Sequence, residues 1–499
     1  MPLALAQLQD IGDRITDRLR PWSRSAEFWV RAADIYTSYK VAPPAPVPLL
    51  HWLVLQTRAR AREVCQLRAG FVKDEEEREA MWEQQHELGA QKMYSLCSEL
   101  GGLFLKEAAQ ILGKPDLAPM AWVKRLVTLC DKAPATPIDV VRDVVEKQFG
   151  KSFDDIFECF DVEPVGSASI AQVHRARLKL SKTDVAVKVQ HPGAEKLMMV
   201  DIRNMQAFAL FLQKYDINFD LYSATKEMEK QICYEFDFVR EAKAMERIRE
   251  FLRVANKKKP PVIVPRVIPE MVSREVLVME FIEGTPIMNL GNEMAKRGID
   301  PGGKIATMAK HKISCCLDLG MMSRSYKYLV IPFISTPLQM FELVALLDYG
   351  QVKAMPEDLR LAYANLVIAM ADDDFLRTKE SFREIGIETW SIADNELEEL
   401  FQLSLRMFDT RLPPGVTAMS PFAEDSSLNK VGVQNCLLNG VSILFFYLKS
   451  FPEELFSVLR TIQLLRGLTV GMGLRFSCAQ QWKPIAEEAL LKSGRLKDY

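Results

Sequence analysis

The chain has 499 residues, 48% of them hydrophobic and 26% charged, and 64 Lys and Arg against 66 Asp and Glu give a net charge of -2. This is an ordinary globular composition, which excludes disordered and collagen-like chains. The length alone predicts about three domain-sized units. The balanced charge removes the electrostatic basis for general nucleic-acid binding, so we predict no nucleic-acid partner.

The nine cysteines form no CxxC pair, and the five histidines are scattered singly along the chain. An odd cysteine number without this spacing indicates an intracellular, reducing compartment. The sequence contains no Cys and His spacing typical of a zinc site, whereas a Mg site with oxygen ligands remains possible. No stretch reaches the length of a transmembrane helix, and the apolar runs over 47–55 and 441–448 are predicted as core helices. The N-terminus is amphipathic, but its aspartates argue against a clear transit peptide.

The predicted elements change in type along the chain. Residues 1–48 predict a helical arm that ends in a proline-rich linker, because successive prolines interrupt helices and strands alike. Residues 49–160 predict a helical extension, with a last amphipathic helix over 138–149. The texture changes at Asp161, after which β-rich runs over 171–178 and 184–190 precede a helical stretch over 197–251 and two β-like runs around 262–264 and 276–279. Beyond about residue 355 the chain again predicts helices.

A run of small residues precedes the first β-rich run and is the first candidate for chemistry. It comprises Gly166, Ser167, Ala168 and Ser169. Small side chains let the backbone approach a phosphate group and present N–H donors to it. Considered alone, the same run is more often just a tight turn.

Lys188 and Asp348 are the other two candidates. Lys188 lies within VAVKV, in the manner of a strand lysine that holds nucleotide phosphates, although an edge-strand lysine facing water fits the same pattern. Asp348 ends the apolar run ALLD and precedes Tyr-Gly, which suits Mg binding against phosphate oxygens but also a plain turn.

The order of these features is more specific than any one of them. A small-residue loop, a strand lysine, a helix with acidic residues, a second pair of strands and Asp-x-Gly follow one another as in protein kinases. In VGSASIAQVHRARL followed by VAVKVQHPG, the sequence resembles the AarF/UbiB family of atypical, protein-kinase-like proteins. The resemblance runs from about residue 101 to 353. It implies an α+β, bilobal protein-kinase-like fold with an N-terminal helical extension and a mainly helical C-lobe, and the division 1–48, 49–160, 161–284 (N-lobe and hinge) and 285–499 (C-lobe).

The resemblance also implies roles for individual residues. Gly166 to Ser169 match the alanine-rich loop that replaces the kinase glycine-rich loop, and Lys188 matches the phosphate-binding lysine. Glu241 matches the helix acid that pairs with this lysine, because a desolvated ammonium group needs a partner. Asp348 matches the Mg-binding aspartate. The remaining matches are the inter-lobe hinge that holds adenine, the acids of the ExD motif and the lysine of the KxGQ motif, namely Glu280 and Ile282, Glu235 and Asp237, and Lys106. In the family Lys106 would meet Glu235.

One departure concerns catalysis. The family carries a DPHPGN catalytic loop before Asp-x-Gly, but residues 320–347 contain no Asp, Asn or His, and Glu342 is their one carboxylate. General-base chemistry needs such a group, so no catalytic residue is assigned. Two explanations stay open. The chain is a pseudokinase that keeps its nucleotide site, or residues 321–339 derive from a misjoined transcript whose codons would resemble intron ends.

The function implied by the resemblance is binding of ATP or ADP with Mg, in support of isoprenoid quinone or other lipid metabolism. The compartment implied is the mitochondrion or the plastid, and the partners implied are a membrane surface or lipid-biosynthesis proteins. Two alternatives remain. One is a catalytically dead pseudokinase scaffold, and the other is a membrane-surface adaptor that uses the amphipathic N-terminus.

Overall fold

The structure is a computed structural model. It describes residues 21–37, 75–107, 120–126, 135–215, 221–255, 262–284, 355–389, 396–411, 448–452 and 477–496, with residue 296 and short stretches within 344–350 and 454–466. The chain divides into two compact units, the first comprising residues 1–134 and 193–209 and the second residues 135–192 and 210–499. No helix in these described ranges is long and apolar enough to cross a membrane.

Helices form the first unit. Its described helices are α1 (21–37), α2 (Glu75–Leu100), α3 (Gly102–Glu107) and α4 (Met120–Leu126), together with residues 194–209 of a longer helix. Phe28, Leu96, Phe104 and Leu126 are buried together, and the rings of Phe28 and Phe104 stack with centroids 5.3 Å apart. Burial of these apolar side chains is the main source of stability for such short helices.

A buried ion pair lies in the same unit. Arg24 donates from Nε to Asp201 Oδ1 at 2.5 Å and from Nη2 to Oδ2 at 2.6 Å, and its Nη1 donates to the Leu100 carbonyl at 2.6 Å. Burial raises the pKa of the Asp201 carboxyl. The bidentate pair joins the start of α1 to the helix that carries Asp201, and the third hydrogen bond joins α1 to the end of α2.

The second unit begins with two helices and the strands of an antiparallel sheet. Helices α5 (Ile138–Phe149) and α6 (Phe153–Ile156) precede four strands, which are β1 (Phe157–Phe160), β2 (Gly166–Ser167), β3 (Ala171–Leu178) and β4 (Asp184–Gln190). Strands β6 (Val267–Val272) and β7 (Val276–Glu280) complete the sheet, whose order is β1-β3-β4-β7-β6 with β2 paired to β3. The predictions of α5, β3 and β4 are confirmed residue for residue.

The core of this sheet lies on one face. Val185, Val187 and Val189 alternate along β4 and share a buried cluster with Val141 and Val145 of α5. Because side chains alternate along a strand, Lys188 lies on the opposite face. Helix α5 and strand β1 belong to the same core as the strands that follow them. The predicted domain boundaries, including the one after residue 160, stay predictions.

Three helices replace the single helical stretch predicted over 197–251. They are α7 (Ala194–Tyr215), α8 (Leu221–Glu235) and α9 (Phe238–Ala255). The break before α9 has a clear cause, because Asp237 Oδ1 accepts from the Arg240 backbone N–H at 2.9 Å and so caps the new helix. Strand β5 (Val262–Ile263) pairs in parallel with β8 (Val344–Ala345).

Helices dominate the described end of the chain. They are α10 (Glu357–Ala371), α11 (Phe375–Ile385), α12 (Glu396–Phe408) and α13 (Cys478–Lys492). Residues 372–374 separate α10 from α11, and Asp374 caps α11 by accepting from the Arg377 N–H at 3.0 Å. The short strands β9 (Glu388–Thr389) and β10 (Leu448–Ser450) pair antiparallel. The core helix predicted over 441–448 is therefore wrong at Leu448, which pairs with Thr389, and 441–447 lie outside the described residues.

Candidate nucleotide site

The small-residue run forms a tight hairpin at one edge of β3. Gly166 pairs with Val173 and Ser167 with Gln172, and the Ala168 N–H donates to the Ala171 carbonyl at 2.9 Å. The run is thus a two-residue strand followed by a turn. Among the described residues, nothing lies within 4 Å of the position that a Cβ on Gly166 would take. The Ser167 hydroxyl is buried and has no hydrogen-bond partner in the same part of the chain.

Lys188 lies near the middle of the sheet, where β4 is flanked by β3 and β7. Its register partners are Val173 on one side and Leu277 on the other. It is therefore a central-strand residue, which excludes the alternative of an edge-strand lysine. Its side chain is 14% exposed, so the ammonium group is largely removed from water and requires compensation by a negative charge.

Glu241 supplies that charge from the first turn of α9. Lys188 Nζ donates to Glu241 Oε1 at 2.8 Å and to Oε2 at 2.9 Å, and the Phe238 ring centroid lies 4.9 Å from the same Nζ. The Glu241 side chain is only 1% exposed. The structure thus brings together the two residues that the sequence pairs. The pair fixes the lysine in one position.

Glu241 also contacts the segment that carries Asp348. The Tyr349 backbone N–H donates to Glu241 Oε1 at 3.1 Å. The preceding residue of α9, Arg240, donates from Nη1 to the Gly350 carbonyl at 3.1 Å and stacks over the Tyr234 ring at 3.9 Å. Burial lowers the pKa of the Arg240 guanidinium. Asp348 itself lies outside the described residues, but both of its following neighbours are held by α9.

The predicted hinge follows β7. The Glu280 N–H donates to the Arg266 carbonyl at 2.8 Å, and Glu280 Oε2 accepts from the Arg266 N–H at 3.2 Å. The Phe281 N–H donates to the Asp184 carbonyl at 3.3 Å, and the half-buried Ile282 comes next. The backbone of this segment is thus held by the neighbouring strands at two successive residues.

The acids of the ExD motif have different surroundings. Asp237 caps α9, as described above, and Glu235 is the half-buried last residue of α8. Lys106 belongs to α3, but its side chain lies outside the described residues. The predicted contact between Lys106 and Glu235 therefore stays a prediction. Residues 321–339 also lie outside them, and no group of His, Cys, Asp and Glu suited to a metal ion occurs among the described residues.

A set of polar residues behind the small-residue hairpin was not predicted from the sequence. Gln172 and His174 are buried on β3, and His191 follows β4 and contacts both Thr136 and the Ala168 carbonyl. The signal was present in the sequence, since Gln172 and His174 are two positions apart within an apolar strand and so share a face. Polar side chains at such positions need hydrogen-bond partners.

Comparisons with known proteins agree on one family. The ABC1 atypical kinase-like domain matches residues 128–382. AarF domain-containing protein kinase 1 of Mus musculus is 30% identical over 411 residues, which cover 79% of this chain and 72% of the mouse protein. The chloroplastic protein ACTIVITY OF BC1 COMPLEX KINASE 3 of Arabidopsis thaliana is 26% identical, with coverage of 75% and 49% respectively.

Two further matches come from an amoeboid and a bacterial protein. The probable serine/threonine-protein kinase abkB of Dictyostelium discoideum is 27% identical and covers 78% of this chain and 55% of its own. A solved complex of Rv3197 with erythromycin from Mycobacterium tuberculosis covers 79% of this chain and 89% of its own, with 19% identity and a TM-score of 0.46. The family match confirms the predicted α+β, bilobal kinase-like fold. The chain belongs to the AarF/UbiB family of ABC1 atypical kinase-like proteins.

Proposed function

We propose that the protein binds ATP or ADP with Mg, between the small-residue hairpin and Lys188. The observation that carries the proposal is the desolvated Lys188–Glu241 pair at 2.8 Å. A helix glutamate that holds a lysine in this way points its ammonium group in one direction. Such a lysine is suited to the α- and β-phosphates of a nucleotide.

The residues present fit the proposed ligand. The space above Gly166 is open among the described residues, and the Ser167 hydroxyl is a buried polar group with no partner there. Backbone N–H groups of a turn of small residues can donate to phosphate oxygens. Glu280 and Ile282 would present their backbone to adenine, and Asp348 would hold Mg through its carboxylate. Bound Mg would neutralise phosphate charge.

The same site supports two functional outcomes. In an atypical kinase or ATPase, the bound nucleotide would be turned over, and this requires a carboxylate or imidazole that the family's catalytic loop normally supplies. Residues 320–347 supply no Asp, Asn or His. Because the family's catalytic loop supplies such residues and this chain does not, we favour nucleotide binding without turnover, as in a pseudokinase scaffold.

We extend the proposal to the biological setting that the family resemblance implies. The protein would support isoprenoid quinone or other lipid metabolism at a membrane surface or with lipid-biosynthesis proteins, in the mitochondrion or plastid. A plant relative carries a chloroplastic name. The membrane-surface adaptor remains the other candidate, and it predicts liposome binding that depends on residues 1–40.

A binding titration tests the proposal. Fluorescent ADP and ATP analogues are titrated with the full chain, with and without Mg, for wild type, Lys188→Met and the control Lys179→Met. Lys179 is an exposed lysine that contacts the Asp154 carbonyl at 2.9 Å, well outside the proposed site. We expect saturable Mg-dependent binding by wild type and Lys179→Met and its loss in Lys188→Met. Absence of binding by wild type, or equal binding by Lys188→Met, would refute it.

Turnover separates the two outcomes. Phosphate release from ATP by wild type is compared with that by Asp348→Asn. A nucleotide-binding scaffold gives no release above the protein-free rate in either case. Release that is abolished by Asp348→Asn would instead establish an ATPase or kinase.

A further inference from the structure

A continuous chain of hydrogen bonds runs behind the small-residue hairpin. The ring nitrogens of His174 contact the Asp161 carbonyl at 2.8 Å and Gln172 Nε2 at 2.8 Å. Gln172 in turn accepts from the Thr136 N–H at 2.6 Å and donates to the Thr136 carbonyl at 3.0 Å. Thr136 Oγ1 lies 2.6 Å from His191 Nδ1, and His191 Nε2 lies 2.8 Å from the Ala168 carbonyl.

The partners fix the direction of every hydrogen bond in this chain except the one between Thr136 and His191. A carbonyl oxygen only accepts, so Nδ1 of His174 and Nε2 of His191 both carry hydrogen. The Thr136 N–H fixes Gln172 Oε1, so the Gln172 amide nitrogen uses its two hydrogens for the Thr136 carbonyl and for His174 Nε2. His174 thereby donates at Nδ1 and accepts at Nε2. His191 donates at Nε2, and a neutral His191 accepts at Nδ1 from the Thr136 hydroxyl, which can either donate or accept. Burial, which lowers the pKa of both histidines, agrees with this arrangement.

The two ends of this hydrogen-bond chain meet the backbone before the hairpin and within its turn. Asp161 precedes it, and Ala168 lies in its turn. The His191 backbone also contributes, since its N–H donates to the Ile170 carbonyl at 2.9 Å. His191 thus holds two carbonyls of the turn, one through its side chain and one through its main chain. Both carbonyls are therefore directed towards His191.

We propose that His191 is a positioning residue for nucleotide binding, which fixes the turn after Ser167 by binding the Ala168 carbonyl. When this carbonyl is held, the peptide plane of the turn is fixed, and with it the direction of the neighbouring N–H groups that would meet phosphate. The residue touches no ligand itself. The inference deepens the proposed function and rests on it.

Paired substitutions at this position test the inference. His191→Gln keeps a side-chain N–H that can reach the Ala168 carbonyl, whereas His191→Leu keeps similar bulk without a donor. Thr136→Val removes the hydroxyl that orients His191 but does not itself hold the turn. His86→Gln, on α2 in the other compact unit, is the control for histidine replacement. Mg-ADP affinity is measured for each full-length variant, and amide exchange of residues 168–170 is measured without nucleotide.

We expect His191→Leu to weaken Mg-ADP binding about tenfold, as for one oriented hydrogen bond, and to speed exchange in the turn. His191→Gln should restore affinity to within about twofold of wild type, and Thr136→Val should fall between the two. A structural role without positioning would instead weaken Gln and Leu variants equally.

The outcomes separate this inference from the proposed function. If wild type binds Mg-ADP and His191→Leu binds equally well, the positioning role is overturned and the nucleotide site stands. If wild type binds no nucleotide, the proposed function fails and this inference fails with it. If His191→Leu leaves exchange of residues 168–170 unchanged, the anchoring of the turn is refuted irrespective of nucleotide.

Discussion

Replacing Glu241 with Ala tests how far the site depends on a buried charge. The Glu241 side chain is 1% exposed and the Lys188 side chain 14%, so the ammonium group would lose its carboxylate in a place that water barely reaches. Breaking such a pair from one side costs about 3–5 kcal/mol. We expect the lower end, about 3 kcal/mol, because Lys188 keeps the Phe238 ring and some solvent. The Tyr349 N–H would lose its acceptor as well.

The assay is native-state hydrogen exchange of the β4 amides, which reports the free energy of opening the sheet. Glu241→Ala should lower this free energy by about 3 kcal/mol, and Glu241→Gln, which keeps an acceptor but no charge, by roughly half as much. Glu250→Ala on the same helix is the control, because its ion pair with Arg253 is exposed and should contribute no resolvable stability. Equal effects of Glu241→Ala and Glu250→Ala would refute the reasoning.

Three further predictions concern stability. Arg24→Leu should lower the free energy of unfolding of the first unit by about 3 kcal/mol, because it leaves the Asp201 carboxylate buried and unpaired. Acidification from about pH 7.5 to 5.5 should destabilise the second unit. Burial lowers the pKa of His174 and His191 below 6.5, so the folded state binds fewer protons than the unfolded state in this window. The slope should be below about 1.4 kcal/mol per pH unit for each histidine. Gly386→Ala should cost about 1 kcal/mol, since Gly386 ends α11 with φ +88°.

Denaturant titrations check these three, each with its own control. Replacing both Arg24 and Asp201 with Leu should recover part of the loss, and no recovery would contradict the buried-charge argument. A variant with His174→Asn and His191→Gln should show a flatter pH dependence than wild type, and an unchanged slope would show that other groups titrate. Gly166→Ala, at a residue without positive φ, should not lower stability. A similar loss at both glycines would contradict the backbone argument for Gly386.

The central strands could be predicted from the sequence, whereas the edge strands could not. Strands β3, β4 and β7 are buried and rich in valine and alanine, so their runs are recognisable. The strand Val267–Val272 was missed because it contains Pro269 and Glu270, yet it lies at the sheet edge, where a proline costs no ladder hydrogen bond. The strand Phe157–Phe160 is the opposite edge and is exposed at its centre.

The site divides in the same way. Lys188 and Glu241 could be paired from the sequence because their spacing and chemistry match a known motif order. The contacts of Arg240 with the Tyr234 ring and the Gly350 carbonyl could not be predicted, because they depend on how α9 packs against α8 and against a segment distant in sequence. The break at Asp237 was predictable in principle, because aspartate before an amphipathic segment is a preferred helix cap.

Hydrogen–deuterium exchange with and without Mg-ADP tests the central claim, that this kinase-like sheet holds a nucleotide. We expect new protection in residues 166–170, at the end of β4 and in the segment after Glu280, with none in the first unit's α2. Protection confined to other regions, or no change at saturating Mg-ADP, would contradict it.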